Sequence, residues 1–230
     1  MALYAIGDLH LSLASDKSME VFGDGWKNYV HRLEEGFSGL GAEDTTVLCG
    51  DLSWGMSLEE SLADLRFIDA LPGQKLLLKG NHDYWWNTAT KMLNFFEKNG
   101  LSTLHILHNN CAFYGETALC GTRGWFYELD SPGGHNGKML AREAGRLETS
   151  LKAAGEREKL VFLHYPPVYT GYYCPELLRL LREYGVKQCF YGHLHGHATH
   201  SRAVQGEREG TAFSLVAADY LGFVPKKICE

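Results

Sequence analysis

The sequence predicts an α/β fold: a mostly parallel sheet wound with helices and joined to a second, partly antiparallel sheet. Three observations carry this expectation. Five short apolar runs each end in a polar cluster, segments of helical period lie between them, and beyond Leu101 the strand-like runs crowd together. Runs this short and this apolar suit strands buried on both faces.

In chain order, the first run is Leu3 to Ile6, directly before GDLH. Trp26, Tyr29, Val30, Leu33 and Phe37 then recur at the spacing of one helix face. A second run, Thr46 to Cys49, precedes GDLSW, and Leu58, Leu62, Leu65 and Ile68 mark the next helix. Ser57 with Glu60 predicts a capping box at its start. The third run, Leu76 to Leu78, precedes GNHD. Strand candidates around Thr103 to Leu107, Cys111 to Tyr114 and Thr117 to Gly121, with NN and GE as turns, imply the second sheet, which Thr211 to Val216 would close. Leu140, Ala144, Leu147 and Leu151 predict a third helix. The runs Leu160 to Leu163 before His164 and Cys189 to Tyr191 before GHLH flank a fourth, Leu177 to Tyr184, bracketed by Pro175 and Gly185. Gly124 to Lys138, rich in Gly, Pro and aromatics and too long for a simple turn, predicts an active-site loop of the lid or substrate-wall kind.

Composition bounds the function. A chain of 230 residues, 45% hydrophobic and 22% charged, fits one domain over residues 1–230. With net charge -6 and no long run of Lys or Arg, a nucleic-acid polymer is disfavoured as a partner. The chain enters its first strand at once, without the features of a signal peptide, and no apolar stretch approaches the ~20 residues that span a bilayer. Cys49, Cys111, Cys120, Cys174, Cys189 and Cys229 are scattered and form no CxxC pair. They predict reduced, mostly buried thiols in a cytoplasmic protein with no membrane contact.

In open α/β sheets ligands collect at the carboxyl ends of the strands, and here each apolar run delivers a potential metal ligand to that end. The set is Asp8 and His10, Asp51, Asn81 and His82, His164, then His193 and His195. Carboxylates and imidazoles without thiolates favour Mn, Fe or Zn, whereas calcium would want more oxygen donors.

With all five segments in place, the chain resembles the calcineurin-like metallophosphoesterase superfamily, which carries GDxH, GDxx, GNH(D/E), H and GHxH in this order. The resemblance runs from Gly7 to His195. It implies a four-layer α-β-β-α sandwich of two mixed sheets and a cofactor of two divalent metal ions. One ion would be held by Asp8, His10, Asp51 and His195, the other by Asp51, Asn81, His164 and His193, with Asp51 bridging. Two divalent ions outweigh two carboxylates, so even with a bridging hydroxide the site stays cationic and draws a phosphate ester. That hydroxide would attack phosphorus, with the ions stabilising charge on the entering and leaving oxygens. The resemblance makes His82 the histidine that protonates the leaving alkoxide or stabilises the transition state. Asp83 would orient its imidazole, a role compatible with capping a turn. The expected partner is a small phosphorylated substrate; nothing in the sequence points to a protein partner.

The pattern departs from two branches of that superfamily. Protein phosphatases read GDxxDR and purple acid phosphatases GDxxY; here Trp54 and Gly55 stand at those positions, and an indole cannot act as a tyrosinate ligand. Another cation must meet the phosphate of a monoester. Arg123, at a strand end, is the first candidate, because a guanidinium fork suits phosphate oxygens; Lys138 and His135 are weaker ones. Tyr84, Trp85, Trp86 and the tyrosines after His164 read as core or rim packing, with stacking on a flat leaving group as the alternative. His197 and His200 read as loop residues.

Rival chemistries fail on the residues. SPGGHNGKM lacks the first Gly and final Ser or Thr of a phosphate-binding loop, and no GxSxG elbow occurs. The alternative that remains is a catalytically silent metal-binding or protein-binding scaffold on the same fold. Both ester types, phosphodiester and phosphomonoester, stay open, and with them the phosphatase and phosphodiesterase activities.

Overall fold

Strand alternation decides the architecture, because side chains at successive positions point to opposite faces of a sheet. In a computed structural model that describes residues 1–15, 17–126 and 133–230, with backbone alone for 133–135, each predicted apolar run is a strand whose two faces enter two different cores. β1 (Leu3–Ile6), α1 (Tyr29–Phe37), β2 (Thr45–Leu48), α2 (Leu62–Ala70), β3 (Gln74–Leu77), α3 (Ala89–Asn99) and β4 (Leu104–Ile106) form successive βαβ units. Ile6, Leu48 and Leu77 face Leu33, Phe37, Leu65, Ile68, Met92 and Phe96 on these helices. Their neighbours Ala5, Val47 and Leu76 face the other way.

The second half repeats the scheme. β5 (Cys111–Tyr114), β6 (Thr117–Thr122), α4 (Gly133–Ala153), β7 (Lys159–Leu163), the short hairpin β8 (Val168–Tyr169) and β9 (Tyr172–Tyr173), α5 (Pro175–Glu183), β10 (Gln188–Tyr191), α6 (His197–His200), β11 (Gly206–Arg208), β12 (Thr211–Leu215) and β13 (Lys226–Cys229) follow in order. The first sheet runs β13-β1-β2-β3-β4 and the second β11-β12-β10-β7-β6-β5. The central pairings are parallel, while β13, β11 and β5 are antiparallel edges. Leu160, Phe162 and Phe190 meet Leu3, Val47 and Leu76 between the sheets, with Phe162 and Phe190 stacked at 5.2 Å. Val161, Leu163 and Cys189 instead pack under α4 and α5. Three apolar interfaces therefore separate four layers, the α-β-β-α sandwich of two mixed sheets.

Several expectations are corrected. The strand at Thr103 to Leu107 belongs to the first sheet, because β4 pairs in parallel with β3, Leu76 opposite His105. The reason is α3, which the sequence reading missed and which supplies the crossover that a parallel pair requires. Its N-cap Thr88 accepts from Lys91 N, and Gly100 ends it at φ 70. The capping box forms only in part: Ser57 Oγ accepts from Glu60 N, but the Glu60 carboxylate takes Met56 N–H, and α2 starts later, at Leu62. Trp26 lies in a 3-10 turn ahead of α1. The expected loop 124–138 ends early, since α4 begins at Gly133; its residues 127–132 lie outside the described residues.

Lys75 is wholly buried within β3 and donates to the carbonyls of Asp69, Leu71 and Gly73, satisfying backbone left open in the last turn of α2 and just past it. None of the six cysteines is paired, and four of them are buried. No helix among the described residues is long and apolar enough to cross a membrane.

Candidate metal centre

The strand ends meet at one rim, held by backbone that L-residues rarely adopt. Asp8, His10, Asp51 and His193 have φ of 56, 46, 53 and 67, in the left-handed region. Each costs on the order of 1–2 kcal/mol and persists only where its surroundings enforce it. They do so here: Asp8 N donates to Gly50 O, His10 N to Asp51 O, and His193 N to both Asp8 carboxylate oxygens at 3.0 and 2.8 Å. Glycine is required where these turns touch. A Cβ on Gly80 would overlap Asp51 N and Oδ1, and one on Gly192 would lie 2.5 Å from Asp8 Oδ2.

The side chains gather into two groups, Asp8 with His10 and His195, and Asp51 with His164 and His193, the ligand atoms of each within 4.8 Å of one another. Asp51 Oδ2 lies 3.7 Å from His10 Nε2 and 3.5 Å from His164 Nε2, so one carboxylate oxygen faces both groups. His164 Nδ1 sits 3.0 Å from Cys49 O; donation there makes Nε2 the bare nitrogen. That nitrogen faces Asn81 Oδ1 at 2.6 Å and His193 Nδ1 at 3.3 Å.

Burial sets the charges. It pushes His164 down to about 3 and holds His10 and His193 well below the usual histidine range, with neighbouring imidazoles adding to the effect. Burial likewise lowers His195. In the other direction it raises Asp51 to about 6 and, with the adjacent Asp51 charge, holds Asp8 well above an ordinary carboxylate. His10 Nε2 and Asp51 Oδ2 are buried without a hydrogen-bond partner. Imidazole nitrogens and carboxylate oxygens converging in this way fit divalent cations, which would remove both the desolvation cost and the carboxylate repulsion. Cys49 is no rival ligand, because burial holds its thiol well above the usual range.

His82 stands at the edge of this group, half-buried, its ring 5.7 Å from His10 and 4.5 Å from Trp54. Its Nδ1 has no hydrogen-bond partner among the described residues. The structure does not bring Asp83 to it, which corrects the expectation that Asp83 orients the imidazole. The Asp83 carboxylate accepts from Asp51 N, Leu52 N, Gly80 N and Trp85 Nε1 at 2.7–3.0 Å. Both oxygens are thus spent tying the Asp51 turn to the Asn81 turn.

Trp54 stacks on His10 at 5.1 Å, and Trp26 closes the same imidazole edge-on at 5.9 Å. Where the sequence reading took Trp54 only as a mark that is absent, the structure makes it a wall of the centre. Arg123 Nη2 lies 3.5 Å from Glu143 Oε1, so its ion pair is with a fully buried acid, and its charge also bears on Asp51 and His164. Lys138 is exposed on α4, and the side chain of His135 lies outside the described residues. Trp85, Trp86 and Tyr165 are buried, whereas Tyr84 and Tyr173 are exposed. Phe126 meets His193 at 5.2 Å.

One acid escaped the sequence reading. Asp219 Oδ2 accepts from Gly196 N at 2.5 Å and lies 3.2 Å from His200 Nε2, bracing the turn that carries His195. It follows the apolar end of β12 just as Asp8 and Asp51 follow theirs, a signal that could have found it. His200 ends α6 beside this brace rather than lying in a loop.

The comparisons identify the family and the fold. The family model for calcineurin-like phosphoesterases matches residues 1–197. Among solved structures, the phosphopantetheinyl hydrolase PptH from Mycobacterium tuberculosis aligns with TM-score 0.61 at 12% identity, over 99% of this chain and 95% of its own. TT1561 of Thermus thermophilus aligns with TM-score 0.55 at 12% identity, over 99% and 97%. AQ665 of Aquifex aeolicus, a protein of unknown function, aligns with TM-score 0.50 at 15% identity, over 98% and 95%. At such identities these neighbours show a shared fold. No curated protein matches the chain.

Proposed function

The chain belongs to the calcineurin-like phosphoesterase family, and from that premise we propose that it is a binuclear metallophosphoesterase acting on small phosphate esters. The carrying observation is the single Asp51 oxygen that faces an imidazole Nε2 on either side, at 3.7 and 3.5 Å. We assign Asp8, His10, Asp51 and His195 to one ion and Asp51, Asn81, His164 and His193 to the other. Two divalent ions held there, Mn, Fe or Zn by the donor set, would activate a shared water and neutralise the phosphoryl oxygens.

The residues of the chain do the rest. Asp8 and Asp51 supply the negative charge that holds the cations, and their left-handed turns aim both carboxylates inward. His82 is lowered by burial and is therefore neutral near pH 7. This favours hydrogen-bond donation to the leaving oxygen or the phosphoryl group over delivery of a stored proton. Arg123, anchored on Glu143, would face the phosphate from the Asn81 and His164 side. No candidate ligand is missing, which favours turnover over the silent-scaffold reading. The unpaired cysteines support a reducing, cytoplasmic location.

The test uses protein purified without chelators, its metal content measured, against mono- and bis-aryl phosphates with Mn present. Hydrolysis of one ester class is expected, and the better substrate assigns the ester type. Fewer than one bound ion together with no hydrolysis would sink the proposal. His82→Ala should lower turnover about 10²-fold or more with metal content unchanged; loss of the ions in that variant would contradict its assignment.

A further inference from the structure

Beside the Asn81 and His164 face of the centre lies a second cluster of charge. Lys79 comes from the end of β3, His108 from the end of β4, Arg123 from the end of β6, and Glu143 and Arg146 from α4. Glu143 is fully buried and saturated: it accepts from Thr122 Oγ1 at 2.6 Å and Arg146 Nη1 at 2.6 Å, with Arg123 Nη2 at 3.5 Å. Among the described residues, three cations thus face one acid whose oxygens are engaged.

Lys79 is half-buried and has no carboxylate within ion-pair distance among the described residues. Asp83, the other acid that bears on it, spends both oxygens on backbone N–H groups and Trp85. Arg123 Nε is buried without a hydrogen-bond partner among the described residues. Half-buried like charges in excess of their acid are costly unless an anion joins them, and paired guanidinium forks with an ammonium suit phosphate.

The cluster is continuous with the metal centre. Lys79 stands two residues before Asn81, and the Arg123 carbonyl accepts the N–H groups of His164 at 3.2 Å and Tyr165 at 2.8 Å. We propose that Lys79 and Arg146, organised by Glu143 beside the Arg123 assigned to the first phosphate, form a second anion subsite. It holds a phosphoryl group that is not hydrolysed, which makes the substrate class compounds carrying two phosphoryl groups. This rests on the phosphoesterase reading for the first group.

The test is calorimetric titration of the Mn-loaded chain with methylenediphosphonate and with methylphosphonate. The diphosphonate should bind about tenfold or more tighter. In Lys79→Met/Arg146→Met that preference should fall below about threefold while the methylphosphonate affinity stays, and Arg146→Lys, which keeps the charge, should retain most of it. Lys79→Met alone, which leaves the Glu143 pairings intact, covers the case of a poorly folded double variant and should lose at least half of the preference. No preference in the native chain, or an unchanged one in the Lys79 variant, would overturn the subsite. Aryl phosphate hydrolysis without a diphosphonate preference would overturn the subsite and leave the phosphoesterase reading standing. A charge-dependent preference in a chain that hydrolyses no ester would do the reverse.

Discussion

The two sheets reach the metal centre with different chemistry. β1, β2 and β3 deliver the candidate oxygen donors Asp8, Asp51 and Asn81 together with the imidazoles of His10 and His82, whereas β7 and β10 deliver only imidazoles, His164, His193 and His195. The oxygen half is braced through backbone: Asp83 gathers the N–H groups of the Asp51 and Asn81 turns, and Gly80 lets them touch. The nitrogen half is tuned through tautomer and burial, as in the bond between His164 Nδ1 and Cys49 O. Each ligand group takes its carboxylate from the first sheet and at least one imidazole from the second. Neither sheet builds a cation site alone, so the packing of Phe162 and Phe190 against β1 to β3 is what assembles the centre.

Perturbations should rank by how much of the oxygen half they remove. Asp51→Asn takes the charge both groups share and should lower kcat/KM by about 10³-fold or more, with metal analysis finding at most one ion. Two retained ions with activity within tenfold would break the bridging assignment. Gly80→Ala should destabilise the metal-free fold by about 3 kcal/mol in urea melts, because the methyl group displaces Asp51. An unaltered midpoint would show that the two turns do not meet as described. Asp83→Asn should cost about 2 kcal/mol and weaken metal binding ~10–100-fold by leaving the turns untied. If it left metal affinity alone and altered only turnover, Asp83 would act on His82 after all.

The smallest effect sharpens the contrast in titration. Burial holds Asp51 up to about 6 and pushes His164 down to about 3, so at pH 7 the carboxylate is ionised and the imidazole bare. As pH falls through 6 a proton must be displaced from Asp51, while His164 takes one only near 3. Metal affinity should therefore drop by up to about tenfold per pH unit below 6, through the oxygen half. An affinity flat from about pH 7 to 5 would show that Asp51 is not the group the metal displaces a proton from.

The candidate ligands were legible because apolar runs end in such residues at the rim where strands open; this rule singled out Asp8, His10, Asp51, Asn81, His164, His193 and His195, which the structure brings together. What was illegible depended on contacts distant in sequence. Asp83 reads as a partner of the adjacent His82, yet its acceptors serve Asp51 to Ser53, far earlier in the chain. α3 hides because Trp85 and Trp86 precede it and Phe95 adjoins Phe96, blurring the helical period; without α3, β4 drifts to the wrong sheet. Glu143 reads as one more surface acid on a helix, and only its burial under Arg123 and Arg146 marks it as an anchor. Trp54 gains its role from stacking on His10, which no local pattern foretells.

The most direct test of the shared centre is electron paramagnetic resonance on the chelator-stripped chain during Mn titration. Two ions joined through Asp51 should give an exchange-coupled signal that grows toward two equivalents and is lost in Asp51→Asn. An uncoupled signal that saturates at one equivalent, or a coupled one that persists in the variant, would contradict the bridging carboxylate.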